Sequence, residues 1–569
     1  MTVHDPSLTS ASASASETSP LLSHFPPPQL SPPRTKASSI RKSVIIGILF
    51  LILTSNLPYL LQILPRLRIW EIIYCRRYYE EHDPSLIGED GLVEEKYCKV
   101  ESVQSQVAYL KGWYGFFGSL PGLFLAIPYG MLADRYGRKW VLVACITTIW
   151  IVQAWVYVVS AFPDVVPLRL IWLGPIVTII GGGDLVASSL IFTILYDVTP
   201  QAKSASLFFY IAATSMLCGM LSPILAGIMM AHDPWISMDV GLGIQILSIP
   251  VSLTLPETLG LDKEEGGLLL PAPVEPAITP RSFTFPSLRK QSLWSQIETG
   301  FRNFVKNSAF LISDWRIIFL CLVSPIGYLS GLLDEFLPQY VSDRYSWTLA
   351  NAAYITSINS GTVIIVLLVI LPLVSTYLER KQFDSSRKDL LIMRVSIIFQ
   401  VLGYLAQGLA PNVPLLALGL LLTALAAGGG ACRRALMTSY VHKDQVARLY
   451  TCVTVLDIIV AALTGPIVAA IFSGGLKKGG GVWLGTPWIG ISAILAVMGI
   501  CYWCWDWGDK EEGREMGLVV LDGLVPVSDG GNREEAEIEG DDREENVIVS
   551  GRVQHERTRS ASLRKVASR

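Results

Sequence analysis

Apolar residues gather in twelve long runs, at about 43–65, 109–132, 140–162, 168–196, 205–231, 238–256, 315–339, 350–377, 390–410, 414–440, 447–473 and 485–505, each bounded by charge, proline or glycine. As a helix rising 1.5 Å per residue, each run can cross about 30 Å of hydrocarbon. The pattern predicts an all-α membrane protein of twelve transmembrane helices. A polar, Pro-rich insert at 257–314 divides it into a first half, 43–256, and a second half, 315–505. Outside these lie a Ser/Pro-rich tail, 1–42, and a charged tail, 506–569, both expected to be disordered.

Composition agrees: 51% of residues are apolar and only 16% are charged, against about a quarter in soluble domains. The net charge of -3 has no basic stripe behind it, which excludes nucleic acid as a partner. Basic residues instead gather in alternate short loops, with Arg135, Arg138 and Lys139 after the second run and Arg380, Lys381, Arg387 and Lys388 after the eighth. The positive-inside rule then places that side, and both termini, in the cytosol.

The polar segment 67–106 falls on the opposite side and holds Cys75 and Cys98, the only cysteines outside the apolar runs. They form a disulfide if that side is oxidising, or remain two thiols. In the insert, Trp294, Ile297, Phe301, Phe304 and Val305 share a helical face, so this stretch reads as an amphipathic helix on the cytosolic surface or as a solvated linker. In the N-terminal tail, Glu17, Leu21 and Leu22 match an acidic dileucine sorting signal, for which an adaptor complex is the partner and the vacuole the destination. The plasma membrane is the alternative. A monomer is expected.

Two motifs recur at matching places in the halves. "GGGDLVASS" (181–189) in the fourth run answers "GGGACRRAL" (428–436) in the tenth, and "GMLSPILAGI" (219–228) answers "ALTGPIVAAI" (462–471). The recurrence suggests two related six-helix units. Gly219, Ser222 and Pro223, and likewise Gly465 and Pro466, are read as helix-packing positions, small residues allowing close approach and proline a bend.

Between the second and third runs stands "GMLADRYGRKW" (130–140). Gly130, Asp134, Arg135, Gly137, Arg138 and Lys139 resemble the signature loop of the major facilitator superfamily. The resemblance covers about 43–505, and "CRRYY", "LPQYVSDRYSW", "CRRALMTSYV" and "ARLYTCVTVLD" are similar to a fungal branch near the proton-coupled folate and tetracycline-type carriers. It implies a cytosolic latch, in which Asp134 seats at a helix N-terminus of the other half while Arg138 pairs with Asp197 at the foot of helix four. It also implies a cavity formed by helices one, four, seven and ten. Helix five carries a degenerate form of an exporter pattern, with Ser222 in place of a glycine.

Charges inside apolar runs need a partner or a task, because burying one costs about 2.5–3.5 kcal/mol or more. Asp184 falls near the middle of helix four and suits a proton or a cationic group, or else a hydrogen bond to a neighbouring helix. Arg433, Arg434 and Asp457 fall at similar depths on helices ten and eleven, as an ion pair or as a coupling site. Asp334 and Glu335 lie near the outer end of helix seven, with interface solvation expected for at least one and a gating role open for Glu335. No Walker loop, hydrolase triad or metal-ligand spacing occurs, so neither enzyme chemistry nor a cofactor or metal is expected. The expected function is secondary active transport of a small organic molecule across the bilayer, with proton coupling implied by the resemblance and a tilt towards export. A proton-symport importer and a non-transporting sensor of the same fold are the alternatives.

Overall fold

The computed structural model describes residues 34–198, 201–258, 261–263, 269–271, 315–381, 385–441 and 446–504. Within them the chain is almost wholly helical. The first half comprises α1 (Ser43–His82), α2 (Glu101–Tyr136), α3 (Arg138–Ala161), α4 (Leu168–Leu195), α5 (Tyr210–Met230) and α6 (Pro234–Thr254). The second comprises α7 (Trp315–Val323 and Ile326–Tyr345), α8 (Leu349–Arg380), α9 (Arg387–Leu409), α10 (Val413–Ser439), α11 (Cys452–Lys477) and α12 (Gly481–Cys504). Ten helices are long and apolar enough to span a membrane unaided, and α2, bent by 53° ahead of Pro128, makes an eleventh. The twelfth is α7, whose apolar character is diluted by Asp334, Glu335, Asp343 and Arg344. Leu261–Lys263 and Leu269–Pro271 pair as a short antiparallel hairpin after α6.

One expectation needs correction. The polar segment after the first run is not a 40-residue loop, because α1 continues to His82 and the loop proper is only 83–100, with short 3-10 turns at Pro84–Leu86 and Glu95–Cys98. The helix tolerates its buried charges because Glu71 is paired and Arg66 is hydrogen-bonded to a neutral amide. Arg66 donates to Gln153 Oε1 at 3.2 Å, and Glu71 pairs with Arg68 at 2.6 Å and with Lys99 at 2.5 Å. At 40 residues α1 is about 60 Å long, so its last turns stand beyond the hydrocarbon, where Cys75 is joined to Cys98. This end of the molecule is called the loop face, and the end bearing 130–140 the latch face.

Lipid is as apolar as a protein core, so close fit and hydrogen bonds between helices, not expulsion from water, hold the bundle. Ile48, Leu51, Leu142 and Val186 form the centre of the first half, and Leu320, Phe336, Tyr340 and Trp488 that of the second. Ser222 donates to the Leu57 carbonyl at 3.0 Å, tying α5 to α1, and Tyr340 donates to the Gln407 carbonyl at 2.8 Å, tying α7 to α9.

The halves meet at the loop face. Gln339 on α7 donates to Gln104 on α2 at 3.0 Å, the Leu349 amide donates to Glu95 at 2.7 Å, and Ser473 bonds Ser105 at 3.0 Å. At the same level, Gly227 on α5 packs against Ala350 and Ala353 on α8.

Candidate functional site

Below this seal a cavity of about 840 Å³ lies between the halves. Residues of α1, α2, α3, α4, α7, α10 and α11 line it, and four of these helices, α1, α4, α7 and α10, are interrupted beside it. The α1 ladder breaks at Gln62, and α7 breaks at Ser324–Pro325. In α4 a 3-10 stretch, Leu168–Val177, and one short turn give way at Gly182 and Gly183, which take φ +93° and +74°. In α10 the helix stops at Leu425 and restarts at Gly429. Both glycine triplets therefore lie at breaks: in α4, Gly182 and Gly183 take up left-handed backbone that side-chain-bearing residues resist, whereas in α10 the turn over 426–428 keeps negative φ and Gly429 and Gly430 already belong to the restarted helix. Broken helices in facing halves are where carriers expose backbone and charge to a central site.

Charged groups follow three of these breaks. Arg66 comes four residues after Gln62; Asp184 sits in the first turn of the restarted α4; Arg433 and Arg434 follow the restart of α10. All four line the cavity, with Lys111 of α2 and Glu335 of α7. Asp184 faces open space and makes no hydrogen bond or ion pair within the described residues. Arg66 lies over the rings of Trp70 and Tyr114 at 5.4 and 5.0 Å. Lys111 donates to the Glu335 carbonyl and stands 4.2 Å from the Phe336 ring.

The remaining expected residues fall as follows. Asp334 does not face the main cavity; it lines a second, smaller one of about 230 Å³ with Asn359, Tyr404 and Arg433. Both Asp334 and Glu335 line cavities of the bundle, Glu335 the main one and Asp334 the smaller. Asp457 is only 4% exposed and one of its carboxylate oxygens has no hydrogen-bond partner. It lies close to Arg433 and Arg434 without an ion pair to either within 4.0 Å, so the expected pairing is not made in this conformation. Arg433 instead donates to the Ser324 carbonyl at 3.3 Å, and its Nε has no partner.

At the latch face, Asp134 is 71% exposed, with Arg138 of its own turn at 3.7 Å. Among the described residues it meets no helix N-terminus of the second half. The acid seated on a helix N-terminus is Glu257, at the foot of α6, which accepts from the Arg138 amide at 3.0 Å and the Lys139 amide at 3.2 Å. Gly137, at φ +105°, turns the chain there, and a side chain would collide with that carboxylate. Arg135 lies over the Tyr136 ring at 5.5 Å, and Gly130 has open space beside it. The Asp197 side chain, the insert helix at 294–305 and the sorting residues Glu17, Leu21 and Leu22 lie outside the described residues. Gly465 packs tightly, against Gly112, but Gly219 has nothing within 4 Å of where a side chain would start, so its expected packing role is not seen here.

Sequence reasoning missed Arg66, Lys111, Glu71 and Glu257. The first and third were hidden by treating charge as the end of a span. The signal that could have kept them is Leu64, Leu67 and Trp70, whose helical spacing continues the apolar face past residue 65. Among the described residues no group of three His, Cys, Asp or Glu could hold a metal ion.

Two six-helix halves around a charged central cavity define a membrane carrier. Residues 105–388 match the Major Facilitator Superfamily. The chain is 30% identical over 492 residues to the MFS efflux pump atnC of Emericella nidulans, across 86% of this chain and 92% of that protein. It is 28% identical over 436 residues to the MFS-type transporter aprT of Aspergillus flavus, across 77% and 83%. Among solved structures, the peptide transporter POT in complex with sulfate superposes with a TM-score of 0.52 at 15% identity, over 85% of this chain and 99% of that one. A bacterial homologue of the iron transporter ferroportin gives 0.52 at 11% identity, over 82% and 98%. The chain belongs to the Major Facilitator Superfamily, and it is a transporter, not an enzyme.

Proposed function

We propose that the chain is a proton-coupled exporter of a small organic molecule, working by alternating access with the latch face and both termini in the cytosol. The observation that carries this is Asp184: a carboxylate without a protein partner, facing the cavity from a break in α4. Such a group can exchange its charge with protons as the cavity is exposed to one side and then the other. With the latch face taken as cytosolic, the seal at the loop face and the exposed Asp134 at the latch face support reading this conformation as inward-facing. The efflux names of relatives such as atnC support the outward direction. Placement near folate and tetracycline-type carriers rests on the motif stretches alone, and vacuolar routing through an adaptor complex on Glu17, Leu21 and Leu22.

The test compares metabolites in cells and medium for strains lacking the chain, expressing it, or expressing Asp184→Asn at equal abundance. Export predicts a compound that rises in the medium with the wild type and returns to baseline with the variant. Accumulation in cells would instead establish import. A compound exported equally by the variant would remove Asp184 from the coupling.

A further inference from the structure

The lining of the central cavity is unbalanced in charge. Arg66 and Lys111 from the first half and Arg433 and Arg434 from the second face it, against the carboxylates of Asp184 and Glu335. None of the four cations forms an ion pair within 4.0 Å of a carboxylate among the described residues. Arg66 spends one donor on the neutral amide of Gln153, Lys111 one on a backbone carbonyl, and Arg433 one on the Ser324 carbonyl, while its Nε is buried without a partner. Arg434 makes no hydrogen bond within the protein among the described residues. Asp457 and Asp334 stand behind the arginines, outside this lining, and do not close on them.

Positive groups held in a membrane interior without counter-charge are costly unless something else supplies it. Arginine forks are suited to carboxylates and similar oxyanions, which they bind through two parallel donors. The stacking of Arg66 on Trp70 and Tyr114 fixes its plane while leaving most of its donors unused.

We infer that the transported molecule is an organic anion, its acid group held by Arg66 from the first half and by Arg433 and Arg434 from the second, its apolar body lying along Tyr59, Trp70 and Tyr114. This deepens the carrier reading and rests on it. An acid group between arginines of opposite halves also gives the bound state a reason to close. It draws α1 and α10 together across the cavity, and an empty cavity has only repulsion there.

The experiment uses the full-length chain in the same metabolite comparison, with each responding compound assigned its charge at neutral pH by retention on anion- and cation-exchange media. The variants are Arg66→Gln, Arg66→Lys and Arg433→Gln, matched for abundance and for thermal unfolding in detergent. The expected result is that responders are anions, that each glutamine variant lowers their export ten-fold or more, and that Arg66→Lys retains part of it. Neutral or cationic responders would overturn the anion assignment and leave the carrier standing. Anionic responders exported normally by both glutamine variants would also overturn it. If no compound responds in any strain, the carrier reading fails and the assignment falls with it.

Discussion

Gly112 on α2 and Gly465 on α11 approach so closely that a Cβ on either would stand 2.6 Å from the carbonyl oxygen of the other. Gly112 lies eleven residues into α2 from its loop-face start at Glu101. The contact is therefore about 16 Å below that end, at the floor of the seal and the roof of the cavity. Small residues at this crossing let two backbones touch where larger ones would hold the halves apart.

Gly112→Val is expected to weaken the closed loop face and shift the chain towards a conformation open on that side. The readout is labelling of Ser105→Cys by a membrane-impermeant thiol reagent, since Ser105 bonds Ser473 across the same seam. Labelling should be at least several-fold faster with Gly112→Val than without it. Equal rates would mean that the helices adjust locally and the seam does not depend on this contact.

Glu71 is the buried hub of the loop face. It is 1% exposed and holds Arg68, Lys99 and the Gln104 amide. Gln104 in turn carries the bond to Gln339 in the other half. Glu71→Gln leaves Lys99 and Arg68 without this counter-charge, and breaking a buried pair by removing one partner costs about 3–5 kcal/mol. Thermal unfolding in detergent should fall clearly for Glu71→Gln, and by much less for Glu80→Gln, whose pairing with Arg76 is exposed.

The pH dependence of this hub follows from Lys99. Burial opposes its charge, but Glu71, Asp343 and Glu95 outweigh burial and hold its pKa above the ordinary 10.5. A base raised in the folded state contributes stability that is whole below the unfolded value and fades as pH rises through the folded one. The destabilisation caused by Lys99→Met should therefore be the same at pH 6 and pH 9. A difference between those two would show that the ammonium is not the titrating group holding the hub.

The twelve runs and the latch loop were legible because both are properties of neighbouring residues: apolar length, and charge between two apolar blocks. What stayed hidden depends on distant partners. Arg66 and Glu71 look like the end of a span until Gln153, Lys99 and Gln104 are brought to them from other segments. Glu257 reads as the start of a linker until α6 sets it beneath the first turn of α3. The glycine triplets were noticed as a repeat, but whether three glycines sit in a helix or break it is decided by the packing around them. The Cys75–Cys98 bond lay between two readings because spacing alone gives no direction to either side chain.

That bond encloses residues 76–97, which deliver Glu95 to the seal, and fixes the chain one residue before Lys99, with a sequence separation of 23. Closing a loop of this length restrains the unfolded chain by about 3 kcal/mol. Cys75→Ser with Cys98→Ser should lower the unfolding temperature, and reduction of the wild type should lower it by the same amount. If reduction changes nothing while the double variant unfolds earlier, the loss is one of packing and the covalent link is not what holds the loop.

Gly182 and Gly219 give the sharpest contrast between a glycine that backbone geometry demands and one that it does not. Gly182 holds φ +93°, and a Cβ there would stand 3.1 Å from the Tyr129 ring and 3.1 Å from Val186. Left-handed backbone costs a side-chain-bearing residue about 1–2 kcal/mol before any contact is counted. Gly182→Ala should therefore destabilise the protein by at least that amount and displace Asp184 two residues on, lowering export along with stability. Gly219 lies in ordinary helix with nothing within 4 Å of its would-be Cβ, so Gly219→Ala should not destabilise the protein and should raise stability by up to about 1 kcal/mol. Its transport rate carries the further information. An unchanged rate means that the space beside Gly219 stays open throughout the cycle, whereas a stable but slow variant means that another helix closes on Gly219 in the conformation open at the loop face.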